Sequence, residues 1–268
     1  MSGGNTAHPE PVEGRAGTGA LRDPVLGVTA LFIDDGGVLN NNAVRSAQWQ
    51  RLVAEFLCPI LGGNQALWAE ANRVVMERLV PFLTQAPQWQ DFSTWWDEYQ
   101  KQWLRGMATL VGVSAPLDDA ECVRLAKEAS VYVTHRVRSA YPGAAEAAQV
   151  LHTRGFDLFT ASGEVSWELD GYLTGMRVRD HFRILYGPDL INWGKWPEGA
   201  EYYRRAFAHA GVDPKRTLVV DDSAAALTQA RRAGAKTCLI GTASPKEEGI
   251  DLVVSRLADV PSALEDSS

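Results

Sequence analysis

The sequence predicts an α/β fold: a Rossmann-like parallel sheet with helices on both faces, plus an all-helical segment inserted after the first strand. Three observations predict it. An apolar run from Val28 to Ile33 stops on Asp34 and breaks into paired glycines within LFIDDGGVLNNN. A strand buried on both faces reads in this way when it delivers a side chain to a sheet edge. From residue 141 onward, strand-like runs alternate with helical ones, the pattern of a parallel sheet covered on both sides. Between these parts, residues 43 to 140 carry helical spacing and no convincing strand. They therefore interrupt a single sheet domain made of residues 25–42 and 141–268.

The first 24 residues are rich in glycine, proline and small polar side chains and lack the apolar stretch of a signal peptide. They are expected to form a loose tail. In the first strand and its turn, Gly36 and Gly37 permit a sharp bend and a close backbone approach to a ligand. Asn40 to Asn42 follow as a polar hinge or a substrate contact. Within the insert, VRSAQWQRLVAEFL and CVRLAKEASVYV space apolar residues by three and four, as helices packing on one another do. Six of the nine tryptophans (Trp49, Trp68, Trp89, Trp95, Trp96 and Trp103) fall here, so the insert should have an aromatic core of its own.

Tyr141-Pro142-Gly143 then punctuates a start, and the helix AAEAAQVLHTRG ends on Gly155. FDLFT, residues 156 to 160, reads as a strand. A helix is expected from Val165 to Leu173, a short strand from Arg183 to Tyr186, and a helix from Gly199 to Ala210 ending on Gly211. TLVVDD, Thr217 to Asp222, is a clear strand; the helix Ala224 to Ala233 ends on Gly234, and KTCLIG supplies another strand.

A net charge of −7 argues against a nucleic-acid partner, which requires a basic face. No apolar run reaches the roughly 18 residues of a membrane span. The three cysteines, Cys58, Cys122 and Cys238, are far apart and lack metal-type pairing, which fits a reducing compartment, with cytoplasm expected. His135, His152, His181 and His209 show no paired spacing, and none is assigned a role.

Two adjacent carboxylates, Asp221 and Asp222, end an apolar strand, and Ser223 can cap the helix behind them. Such a pair repels itself unless a cation is near, and Mg²⁺, which takes oxygen ligands, is the natural partner. Parallel strands of one sheet present their carboxyl ends on the same edge, so Asp34 can join them. Lys195 lies in the loop NWGKWPEG and is the only lysine between Lys127 and Lys215. Thr160 closes the FDLFT strand. A hydroxyl and an ammonium beside carboxylates and a metal suit a phosphoryl group, whose transfer depends on positioning and charge stabilisation.

In this order the parts LFIDDGGVL, FDLFTAS, Lys195 and LVVDDS resemble the four signatures of the haloacid dehalogenase (HAD) superfamily, mostly Mg²⁺-dependent phosphatases working through an aspartyl-phosphate. The YPGAAEAAQVLHTRG lead-in and the closing IDLVVSRLADVPSAL share in the resemblance, and the helical insert is similar to the family's cap. The resemblance implies that Asp34, five residues before Leu39, is the nucleophile. It implies that Thr160, or Ser162 two residues on, binds a phosphoryl oxygen, with Gly37 and Asn40 nearby, and that Lys195 neutralises nucleophile and phosphate. It also implies that Asp34, the Gly36 carbonyl, Asp222 and Asp221 hold Mg²⁺.

The chain departs from the family at Gly36, where phosphatases usually carry a second Asp that protonates the leaving group. Losing general acid-base assistance costs roughly 10² to 10⁴ in rate. Ala226 likewise replaces a second acidic residue. Strand alternation points Asp35 away from the site, so it is a poor substitute. Three readings follow: a phosphatase of a small phosphorylated metabolite, a metal-independent 2-haloacid dehalogenase, whose halide needs no proton, or a catalytically weak relative binding a phospho-ligand or protein. A phosphate-shuttling mutase is the poorest fit, because it depends on the missing acid. Trp167, Trp193 and Trp196 are further candidates for substrate contact.

Overall fold

The computed structural model describes residues 27–84, 91–196, 199–241 and 249–265. The N-terminal tail and Trp89 lie outside them. Six parallel strands form one sheet: β1 (Ala30–Ile33), β2 (Asp157–Thr160), β3 (Phe182–Ile184), β4 (Thr217–Asp221), β5 (Lys236–Ile240) and β6 (Leu252–Val254), in the order β3-β2-β1-β4-β5-β6. The first strand begins at Ala30 rather than Val28, and the third runs two residues short of the expected Tyr186. Both are end effects of the usual size. The last strand lies in the closing IDLVVSRL run and makes one edge.

The apolar alternation of β1 explains its central place. Leu31 and Ile33 pack with Leu158, Leu218 and Val220 on one face, against Ala148 and Leu151 of α5 (Ala144–Thr153). Phe32 packs with Phe159 and Val219 on the other, where Tyr203 and Phe207 of α8 (Ala200–Ala210) cover it. The Phe32 ring stacks on Phe159 at 4.7 Å and meets Phe207 edge-on at 4.9 Å, the arrangements that aromatic quadrupoles favour. The chain leaves β1 toward β2 on one side and returns at β4 on the other, so a topological switch point lies at the C-terminal end of β1.

Between β1 and β2 come four long helices, α1 (Asn42–Leu61), α2 (Gln65–Thr84), α3 (Phe92–Val111) and α4 (Asp119–Thr134). Their starts are capped. The Asn41 side chain accepts from the Ala43 and Val44 amides, the Asp91 side chain from Ser93, and the Asp118 side chain from Glu121. Gly112, at φ +81°, closes α3 in the left-handed conformation that glycine adopts without strain. Their cluster is aromatic, and two of its buried indoles are tied down: Trp68 Nε1 donates to the Gly62 carbonyl at 2.8 Å and Trp103 Nε1 to Asn72 Oδ1 at 2.9 Å.

The two chain crossings between sheet and helices run side by side. The Asn41 amide donates to the Ser139 carbonyl at 2.8 Å and the Tyr141 amide to the Leu39 carbonyl at 2.9 Å. Among the described residues no helix is long and apolar enough to cross a membrane.

Candidate active site

Strand register brings the chemistry-bearing residues together. Ile33 pairs with Thr160 on one side and Val220 on the other, so Asp34 sits one step beyond the ladder between Ala161 and Asp221. By alternation Asp34 and Asp221 project to the face covered by α8, and Lys195, in the loop ahead of that helix, reaches both. Its Nζ donates to Asp34 Oδ1 at 2.9 Å, Asp221 Oδ2 at 2.8 Å and the Ala161 carbonyl at 2.8 Å. All three ammonium protons are thereby used. The lysine is 3% exposed, so the ion pairs are shielded from solvent.

Burial pushes the Asp34 carboxyl up to about 7 even though Lys195 opposes the shift, and Asp221 pushes in the same direction as burial. Burial works against the Lys195 ammonium, but Asp34 and then Tyr203 and Asp221 hold it protonated. Asp222 is exposed, and its carboxyl is raised by partial burial and by Asp221. Asp34, Asp221 and Asp222 offer oxygens within 4.8 Å of one another. When all three are ionised, three carboxylates facing one ammonium leave two negative charges over, which one divalent cation would balance. A hard oxygen-binding ion such as Mg²⁺ fits this donor set. The Gly36 carbonyl is used by none of the three turn bonds, which run from the Leu39 and Asn40 amides to the Asp35 carbonyl and from the Gly37 amide to the Asn40 carbonyl.

Gly37 is required here twice over. Its φ is +89°, and a Cβ at this position would lie 1.9 Å from Asp222 Oδ2. Only a hydrogen fits between the turn and the carboxylate.

Three sequence expectations need correction. Thr160 is fully buried and donates its hydroxyl to the Tyr186 carbonyl at 3.3 Å, while Ser162 lines the cavity above Asp34. Thr160 follows the side-chain parity of Leu158 rather than that of Asp34, so strand alternation turns it away from the cavity. Asn40 does not line the cavity: it is buried, giving its amide to Asp35 Oδ1 at 2.6 Å and accepting from the Ser139 hydroxyl at 2.8 Å. Of the three tryptophans proposed for contact, only Trp196 lines the cavity; Trp193 packs beneath the Arg205 guanidinium and Trp167 against the helical core.

The structure also adds residues. Arg45, from the first turn of α1, bonds the fully buried Asp35 carboxylate and Asn42 Oδ1, the latter at 2.7 Å, and comes within 3.4 Å of Glu164. Burial opposes its charge and Asp35 holds it in place. Glu164 and Glu168 face the same cavity, about 540 Å³ in volume, which runs from Asp34, Gly36 and Lys195 up into the helices. The sequence carried no signal for these three, since single charges on helices and in the loops ahead of them are ordinarily solvated.

Comparison with known proteins bears on the fold. The chain matches none of the curated proteins at a significant level. Among solved structures, it is similar to the L-2-haloacid dehalogenase from Xanthobacter autotrophicus at 18% identity and a TM-score of 0.56, over 90% of this chain and 100% of that one. It is also similar to the putative HAD-hydrolase YfnB from Bacillus subtilis bound to magnesium, at 17% identity and a TM-score of 0.61, over 89% of this chain and 99% of that one. A predicted phosphoglycolate phosphatase from Haemophilus somnus 129pt aligns at 15% identity and a TM-score of 0.54, over 88% of this chain and 97% of that one. These likenesses establish the fold. The model of the haloacid dehalogenase-like hydrolases matches residues 105–240, half of the chain, and the chain belongs to that family.

Proposed function

We infer that the protein is a Mg²⁺-dependent phosphatase of a small phosphorylated metabolite, working through an aspartyl-phosphate on Asp34. The observation that carries this reading is the convergence of Asp34, Asp221 and Asp222 around one lysine. Bound there, a divalent cation would offset the charge of an incoming phosphoryl group. Asp34 Oδ1 is held by Lys195, which leaves Oδ2 to attack phosphorus. The Oδ2–P bond forms as the P–O bond to the alcohol breaks, and the alcohol oxygen takes its proton from water, because Gly36 has no side chain to give one. Water then attacks the phosphorus of the aspartyl-phosphate, releasing phosphate and restoring the carboxylate. Lys195 stays protonated throughout and offsets charge on the transferring oxygens. Ser162, rather than Thr160, supplies the hydroxyl facing the phosphoryl site.

In this reading residues 43–140 form a cap hinged at the paired crossings of Asn41 and Tyr141, and closing it excludes water. The three free thiols favour a cytoplasmic location.

One observation favours a second reading, a 2-haloacid dehalogenase. Gly36 offers no acid, and halide departs without a proton. That chemistry needs no metal, however, and leaves Asp222 without a task. A cavity of about 540 Å³ is also generous for a three-carbon acid and suits a larger organic group.

The test is turnover of phosphate esters, acyl phosphates and 2-haloacids by the purified chain, with and without Mg²⁺ and with Asp34→Asn. Mg²⁺-dependent phosphate release that Asp34→Asn abolishes is the expected result. Halide release independent of metal would replace it with the second reading. Inactivity on all panels would leave a binding protein.

A further inference from the structure

The carboxylates of the site occupy one end of the cavity, and its other end has a chemistry that neither phosphate nor metal explains. Trp49, Trp95, Trp96, Tyr99, Trp103 and Tyr172 line it, together with Glu164 and Glu168. Glu168 is 5% exposed. The cation near this end, Arg45, is already engaged: it bonds Asp35 and Asn42, lies 5.2 Å from the Tyr172 ring centre, and makes only a long 3.4 Å contact with Glu164. Asp35 therefore matches its charge, and Glu164 and Glu168, which share a hydrogen bond, have no close cation of their own among the described residues beyond that long contact. On α3, Gln100 Oε1 and Trp96 Nε1, one helical turn apart on residues that line the cavity, are buried without a hydrogen-bond partner.

We propose that this end of the cavity binds a protonated amine on the organic part of the substrate, seated among the aromatic rings and against Glu164 and Glu168. Indole and phenol faces attract a cation, and more strongly where water is excluded. Amine N–H groups supply the donor that Gln100 Oε1 lacks, and an unpaired buried acceptor is costly to leave. Trp96 Nε1 takes an acceptor elsewhere on the same ligand. Taken with the phosphatase reading, on which this extension rests, the substrate class is the phosphate ester of an amine-bearing alcohol.

A second readout comes from Glu168 itself. Burial first and Glu164 second raise its carboxyl well above the usual range. The groups facing it are Glu164 ahead of α6 (Ser166–Gly175), Arg45 on α1, Tyr99 on α3, Ser130 on α4 and Tyr172 on α6 itself. A cation beside Glu168 favours its ionised form, so binding releases a proton.

The test is calorimetric titration of the full chain at pH 7 with benzylamine, with its neutral isostere benzyl alcohol, and with benzoate. Benzylamine should bind with a Kd lower than that of benzyl alcohol by about tenfold or more, releasing a proton detectable by comparing buffers of different ionisation enthalpy. Glu168→Gln should remove most of that preference while leaving benzyl alcohol binding intact, which also controls for folding. Equal affinities, a preference for benzoate, no binding of benzylamine, or a preference that survives both Glu168→Gln and Glu164→Gln would overturn the proposal. Binding does not use Asp34, so the two readings fail separately. Amine selectivity without phosphate release sinks only the phosphatase reading, and phosphate release without amine selectivity sinks only the amine site.

Discussion

Arg45 stands over Gly36. A Cβ built on the glycine would lie 3.0 Å from Arg45 Nη2 and 2.7 Å from Asn42 Oδ1, so the space where related phosphatases keep a second carboxylate is taken by an arginine and an asparagine.

It follows that Gly36→Asp should not raise phosphatase turnover. The new carboxylate meets Asn42 and draws Arg45 away from Asp35, and overpacking of this kind costs roughly 1–3 kcal/mol. Steady-state kinetics and a denaturation midpoint on the variant check both halves. A clear gain in turnover would mean that Arg45 moves freely.

Removing Arg45 should be severe and rescuable. Asp35 is fully buried and paired with it, and stranding a buried charge costs about 3–5 kcal/mol. Arg45→Met alone should lose stability on that scale, and Arg45→Met with Asp35→Asn should recover most of it. Denaturant unfolding of the two single variants and the double variant gives the coupling.

Asp34→Asn should abolish turnover and yet stabilise the metal-free protein at alkaline pH. The carboxyl is near 7 in the fold and 3.8 as its ordinary value, so the folded state holds the proton more tightly. That contribution is complete below pH 4 and is lost as pH rises through 7. The wild-type melting temperature should therefore fall across this window more steeply than that of the variant, and parallel curves would refute the assignment.

Mg²⁺ should raise the melting temperature more at pH 8 than at pH 6. Asp34 and Asp222 are both raised by burial, so protons compete with the metal at lower pH, and binding to the folded state alone stabilises it. Asp222→Asn should weaken the shift. Gly37→Ala should do the same, because a Cβ there falls on the Asp222 carboxylate. No shift at pH 8 would favour metal-free chemistry.

The alternation of apolar runs and glycine stops is local information, and it was enough to anticipate β1, β2, β4 and β5, the helices behind them, and the strand-end placement of Asp34, Asp221 and Asp222. Lys195 was legible because few lysines lie in its part of the chain. Thr160 and Asn40 were misjudged for one reason: sequence places a residue at a strand end or turn, whereas the cavity admits only the side chain whose parity and neighbours leave it open.

By itself the sequence determined the order of strands and helices and which carboxylates end which strands, because side-chain periodicity and glycine turns act over a few residues. Only the tertiary structure decided that Arg45 fills the space over Gly36, that Ser162 rather than Thr160 faces the cavity, and that Glu164 and Glu168 share one pocket with the aromatic residues of the helices. Those relations depend on packing between side chains, most of them from segments far apart in the chain, which no local pattern encodes.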